Sequence, residues 1–176
     1  DGTGDPVVFV HGNVSSSLFY QPTMLALPAG LRALAVDLRG FGDSETKPVD
    51  ATRGLRDFAD DVVSVLDELG VGRFHLVGWS MGGGVVLQIL LDHPERVRTV
   101  TLEAPVSPYG FGGTHGADGV RNDTDGAGTG GGGANPDFVA RLEAGDRGDE
   151  SQTSPRTVYR TAYVAEPERQ AEHEDL

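Results

Sequence analysis

Residues 78–82 read Gly78-Trp79-Ser80-Met81-Gly82, directly after the apolar run Phe74-His75-Leu76-Val77. A strand that turns sharply into a helix brings two backbones together at the turn. Small residues are needed two places either side of the apex, because a Cβ there would strike the converging chain. The apex residue is held on strained backbone with its side chain at the crest. Downstream, Val85, Val86, Ile89 and Leu90 recur at helical spacing, and Asp92-His93-Pro94 breaks the pattern. The pentad therefore reads as strand, turn and helix, with Ser80 at a nucleophile position; the alternative is a structural turn serine.

The rest of residues 1–112 repeats the same alternation. Val7–Val10 reads as a short buried strand, followed by His11-Gly12-Asn13, and Leu34–Val36 lies in a second strand ending at Asp37. Leu55, Phe58, Ala59, Val62, Val63, Leu66 and Leu69 mark an amphipathic helix that Gly70 stops. Phe74–Val77 is the third strand and Val97–Leu102 the fourth. Strand–helix alternation predicts an α/β fold, a mostly parallel sheet flanked by helices, with ligands at the strand C-termini.

The C-terminal part has a different character. Residues 113–135 are rich in glycine and poor in large apolar side chains, which predicts a flexible loop. Asn135-Pro136 and Ser154-Pro155 each look like an N-cap followed by a first helical residue. Residues 136–176 therefore read as the start of a helical lid, and a disordered tail is the alternative.

Composition narrows the partners. The 27 acidic and 14 basic residues give a net charge of −13, which repels phosphate backbones and anionic lipid headgroups. Nucleic acid and membrane surfaces are not expected partners. There is no cysteine, so disulfides and thiolate metal sites are excluded and the compartment stays open. No metal cluster is visible in the sequence.

Three motifs in order carry a family resemblance. Val7-Val8-Phe9-Val10-His11-Gly12-Asn13, Asp37-Leu38-Arg39-Gly40-Phe41-Gly42-Asp43-Ser44 and Gly78-Trp79-Ser80-Met81-Gly82-Gly83 resemble the α/β-hydrolase fold superfamily. The resemblance covers residues 5–112. It implies a cofactor-free hydrolase of ester, amide, thioester or carbon–carbon bonds, using a serine nucleophile, a histidine base and a carboxylate. The substrate expected from it is a small acyl compound. His11-Gly12-Asn13 with Ser15-Ser16-Ser17 is similar to the corresponding loop of haloalkane dehalogenases, and Asp37–Ser44 to that of epoxide hydrolases; both use an aspartate nucleophile, and Ser80 disfavours that chemistry here.

The resemblance also distributes roles. The backbone N–H groups of Met81 and Asn13 are the expected oxyanion donors. His11 reads as a loop-shaping residue, and Asp37 as a carboxylate bonding loop amides. Glu103, at the end of the fourth strand, is a candidate acid, or an ordinary polar residue at a strand terminus.

The base is the weak point. Only His93, His115 and His173 follow Ser80, and each reads first as a solvated surface histidine. The family's leading strands and the strands expected to carry the acid and histidine are not evident. A fragment of a larger hydrolase, nearly inactive alone and prone to self-association at its sheet edges, is the expectation. A non-catalytic ligand-binding protein, or an acyltransferase or carbon–carbon bond hydrolase on the same scaffold, are the alternatives.

Overall fold

The computed structural model describes residues 3–107, 114–122 and 135–166. Two compact units divide the chain, Asp1–Pro108 and Tyr109–Leu176. In the first, β1 (Asp5–Val10), β2 (Leu31–Val36), β3 (Phe74–Trp79) and β4 (Val97–Glu103) form one parallel sheet in the order β2-β1-β3-β4. Val7 pairs with Ala33 on one side and with His75 on the other. The chain runs outward from β1 to β2, then returns to build β3 on β1's other flank. Strand order reverses there, and open parallel sheets bind ligands at the carboxyl ends of such a switch point. Ser80 is the first residue beyond β3.

Side-chain alternation along the strands builds a core on each face. Val8, Val10, Phe74 and Leu76 pack against helices α2 (Arg56–Glu68) and α3 (Met81–Asp92). The α2 stripe foreseen from sequence is buried through Phe58, Ala59, Val62, Val63 and Leu66. Gly70, at φ 66°, ends the turn after it. Full burial of a side chain such as Leu76 or Ile89 stabilises by about 1.5–3 kcal/mol.

The opposite face is covered by a segment the periodicity did not reveal. A short 3-10 helix, Ser17–Tyr20, leads into α1 (Gln21–Leu25). The Ser16 hydroxyl caps it by accepting from the Leu18 N–H. Tyr20 joins Val7 and Phe9 in a second apolar cluster with Met24, Leu27 and Trp79 around it.

Strand β4 is largely exposed, with Leu102 41% accessible, and β2 is half-buried along its length. These are the two outer edges of the sheet, and among the described residues neither has a further strand beside it.

In the second unit, β5 (Thr114–His115) and β6 (Val120–Arg121) form a small antiparallel hairpin inside the segment read as a loop. Asn135 caps α4 (Pro136–Glu143), its side-chain oxygen accepting from the Asp137 N–H at 3.0 Å. Ser154 precedes α5 (Pro155–Val158), but its hydroxyl accepts from the Ser151 N–H instead of the helix. A π-helical turn, Tyr159–Tyr163, continues α5. Most of the glycine-rich stretch, residues 123–134, and the acidic end with His173 lie outside the described residues.

Candidate active site

Ser80 sits at φ 53° and ψ −118°, in a region that non-glycine residues avoid. Its neighbours hold it there. The Ser80 N–H donates to the Glu103 carbonyl at 3.0 Å. The Ser80 carbonyl accepts from Gly83 N–H at 3.0 Å and Val106 N–H at 2.9 Å. Both flanking glycines are required by close approach. A Cβ on Gly82 would fall on the Val10 and His11 carbonyl oxygens, and one on Gly78 would meet the Gly82 backbone and, at 2.7 Å, Val86.

The loop after β1 lies against this crest. A Cβ on Gly12 would stand 2.8 Å from the Trp79 ring and 3.0 Å from the Ser80 Cβ, so Gly12 leaves room for both. Asn13 follows Gly12 and is exposed; Val14 follows at φ 51°, an unusual backbone for a β-branched residue. Met81 opens α3, and the side chain of the N-cap residue Ser80 does not cap it. The positive end of the helix dipole favours negative charge beside Ser80.

His11 shapes this loop. It is fully buried, with Nδ1 2.7 Å from the Gly12 carbonyl oxygen and Nε2 3.1 Å from the Leu38 N–H. This pattern fits the neutral tautomer protonated on Nδ1, with Nε2 accepting. Burial lowers its pKa, against the opposing pull of the Gly12 carbonyl and the Asp37 charge. Neither ring nitrogen is available to Ser80.

Asp37 braces the adjoining loop. It accepts from the Ser17 N–H at 2.6 Å and the Asp43 N–H at 3.1 Å. Burial alone would raise its pKa, but these bonds and the nearby His11 hold it below the ordinary carboxylate value. Arg39 ties the same loop to α2 through a two-pronged contact with Asp61, at 2.6 and 2.8 Å. An open cleft of about 510 Å³ lined by Asp37, Arg39, Lys47 and Asp61 lies along β2, and neither Ser80 nor Asn13 lines it.

Glu103 ends β4 opposite Trp79 in the register. Its carboxylate accepts from the Tyr20 hydroxyl at 3.2 Å. Burial, then the Glu103 charge and this bond, push the Tyr20 phenol above its usual pKa, so it remains a donor. Tyr20 is a residue that motif reading missed; only its place in a serine-rich apolar loop hinted at burial.

Within the first unit, His75 and His93 lie away from Ser80. His75 lies within β3, its Nδ1 2.8 Å from the Thr99 hydroxyl. His93 follows the last residue of the 12-residue α3, about 18 Å from the crest by helix rise. His115 sits in the second unit's hairpin, beside the Asn122 side-chain oxygen at 2.8 Å. No group of three or more metal-ligating side chains occurs among the described residues.

A parallel sheet whose switch point carries a strained serine at a strand-to-helix turn is the layout of an α/β enzyme scaffold. Residues 5–126 match the alpha/beta hydrolase fold, and the chain belongs to this family. Over 104 residues it is 38% identical to the 2-hydroxymuconate semialdehyde hydrolase of Pseudomonas sp. (strain CF600), covering 57% of this chain and 36% of that protein. Over 110 residues it is 36% identical to bifunctional epoxide hydrolase 2 of Rattus norvegicus, covering 61% and 20%. The solved structure of the 2-hydroxy-6-oxo-6-phenylhexa-2,4-dienoate hydrolase from Rhodococcus sp. strain RHA1 superposes with a TM-score of 0.56 at 28% identity, covering 60% of this chain and 40% of that one. The chain spans between a fifth and two fifths of the length of these relatives.

Proposed function

We propose that this chain carries the nucleophile-bearing part of a serine hydrolase that cleaves small acyl substrates. The strained backbone of Ser80, held by bonds to Glu103, Gly83 and Val106, is the observation that carries this reading. A binding pocket has no use for that strain. An exposed nucleophile does, because the strain lifts the hydroxyl clear of the sheet.

In the reaction, the Ser80 Oγ bonds to the substrate carbonyl carbon and its proton passes to a base. The carbonyl electron pair moves onto oxygen, between the N–H groups of Met81 and Asn13. Each such donor is worth about 3–4 kcal/mol in the transition state. Collapse expels the leaving group with the proton, and water then releases the acyl group from Ser80. Glu103 is the candidate acid that would orient the base.

The base itself is not among the described residues of the first unit. His11 is committed on both nitrogens, His75 bonds Thr99, and His93 is at the wrong end of α3. Lacking one member of a triad typically costs ~10⁴- to 10⁶-fold in turnover. Without a base from outside the first unit, Ser80 should acylate slowly and fail to turn over.

Carbon–carbon bond hydrolysis on the same serine is a second reading, favoured by the 38% identity to a semialdehyde hydrolase. Relatives named as epoxide hydrolases share the scaffold, but Ser80 occupies the position where that chemistry uses aspartate. No cofactor is invoked in either reading.

The test is p-nitrophenyl acetate with the 176-residue chain. One slow equivalent of nitrophenol, absent in Ser80→Ala, is expected. Equal release from both proteins would overturn the assignment.

A further inference from the structure

We propose that Phe19 and Trp79 form one wall of an acyl subsite beside Ser80, and that this wall selects substrates with a flat aromatic acyl group. The proposal rests on Ser80 being the nucleophile, and it names the substrate class for that site. The two rings lie 4.3 Å apart and only 9° from parallel. Near-parallel rings at this separation are offset-stacked, one of the two arrangements that aromatic pairs favour.

Both rings are anchored by their neighbours. Trp79 is the last residue of β3, and its ring abuts Gly12 at the same point where Gly12 meets the Ser80 Cβ. Phe19 is wedged edge-on against Tyr20, at 5.2 Å and 85°. Tyr20 is itself only 1% exposed and bonded to Glu103. The stack is therefore fixed to the elbow through Trp79 and to the core through Tyr20.

Despite this anchoring, Phe19 remains 45% exposed. One of its faces lies on Trp79, and no described aromatic ring stacks on the other. Val14 and Leu18, on the same loop, are each 47% exposed. Three apolar side chains are thus left open within seven positions of Asn13, on the loop that flanks Ser80. An aromatic acyl group seated on the open face of Phe19 would extend the ladder of rings. A puckered ring of the same carbon count would touch it over less area. Stacked pairs contribute about 0.5–1.5 kcal/mol beyond their buried area, a preference of roughly 3- to 10-fold.

Trp79 is the sole tryptophan in the chain, so its fluorescence reports on this wall without a label. The experiment titrates Ser80→Ala protein with ethyl benzoate and with ethyl cyclohexanecarboxylate. A saturable change in Trp79 emission, with ethyl benzoate bound roughly 3- to 10-fold more tightly, is expected. Phe19→Ala should remove that preference. Phe19→Leu keeps the apolar bulk and should also remove it, while still binding both esters and melting cooperatively. Equal affinities, no saturable response to either ester, or a preference that survives in Phe19→Leu would overturn the proposal. The Ser80→Ala background carries no nucleophile, so these outcomes leave the nucleophile reading to its own test on the unmutated chain.

Discussion

The Tyr20 hydroxyl and the Glu103 carboxylate meet at 3.2 Å across 83 positions of sequence. The same hydroxyl lies 3.5 Å from the Val10 carbonyl oxygen. Val10 ends β1 and Glu103 ends β4, and these strands flank β3 on its two sides. One buried phenol thus ties together the neighbours of the strand that carries Ser80. Tyr20→Phe keeps the ring and removes the bond, leaving Glu103 without this donor. A loss of about 1–2 kcal/mol in urea unfolding is expected. Unchanged stability would show that the bond contributes nothing to the elbow's support.

Gly82 offers a prediction in which two effects oppose each other. Glycine to alanine inside a helix ordinarily stabilises by up to about 1 kcal/mol. Here the added methyl would fall on the Val10 and His11 carbonyl oxygens, backbone that cannot swing aside. Overpacking of this kind costs about 1–3 kcal/mol. Gly82→Ala should therefore lower the thermal midpoint. A rise would mean that α3 does not approach β1 as closely as described.

Acid should weaken the fold in two stages. Burial lowers the His11 pKa below its ordinary 6.5, so the unfolded chain takes up a proton there before the folded one does. Stability from His11 is complete above that value and falls as pH drops through it. Asp37 is held below its ordinary 3.8 despite its burial, by the Ser17 and Asp43 N–H groups. Its contribution is present above 3.8 and is lost at lower pH. Urea unfolding at pH 7.5 and 5.5 should show lower stability at 5.5, and a shallower dependence in His11→Asn. Equal stability at both pH values would contradict the buried neutral His11.

Arg39 tests how the loop after β2 is held. Its guanidinium grips Asp61 with two nitrogens and also donates to the Pro48 and Asp57 carbonyl oxygens, at 2.8 and 3.2 Å. Lysine keeps the charge but cannot make the fork. Arg39→Lys should cost about 1 kcal/mol and speed amide hydrogen exchange across residues 38–57. Exchange that stays unchanged in this loop would place its anchorage elsewhere.

Much of this arrangement was readable in the chain because its signals are local. The pentad around Ser80 states its own turn, and the α2 stripe states which face is buried. The strand boundaries were less legible: β3 runs on through Gly78 and Trp79, because register with β4 outweighs glycine's poor strand propensity. The cover formed by Ser17–Leu25 gave no period to read, since it is a 3-10 turn joined to a five-residue helix with Pro22 inside it. Tyr20 could not be paired with Glu103 from sequence, because their contact is purely tertiary. His11 was readable as a loop residue. Its buried tautomer depends on Leu38, which lies 27 positions away in the sequence.

The account turns on Ser80, and the most direct measurement is intact-mass analysis after prolonged exposure to a fluorophosphonate, with Ser80→Ala in parallel. On the proposed assignment of Met81 and Asn13 as oxyanion donors, donors and binding together should leave about 10³–10⁴-fold of acceleration over the uncatalysed reaction, enough for slow but stoichiometric labelling. A single adduct on the unmutated chain, absent from Ser80→Ala, is the result predicted. Folded protein that gains no adduct, or gains the same adduct in Ser80→Ala, would contradict it.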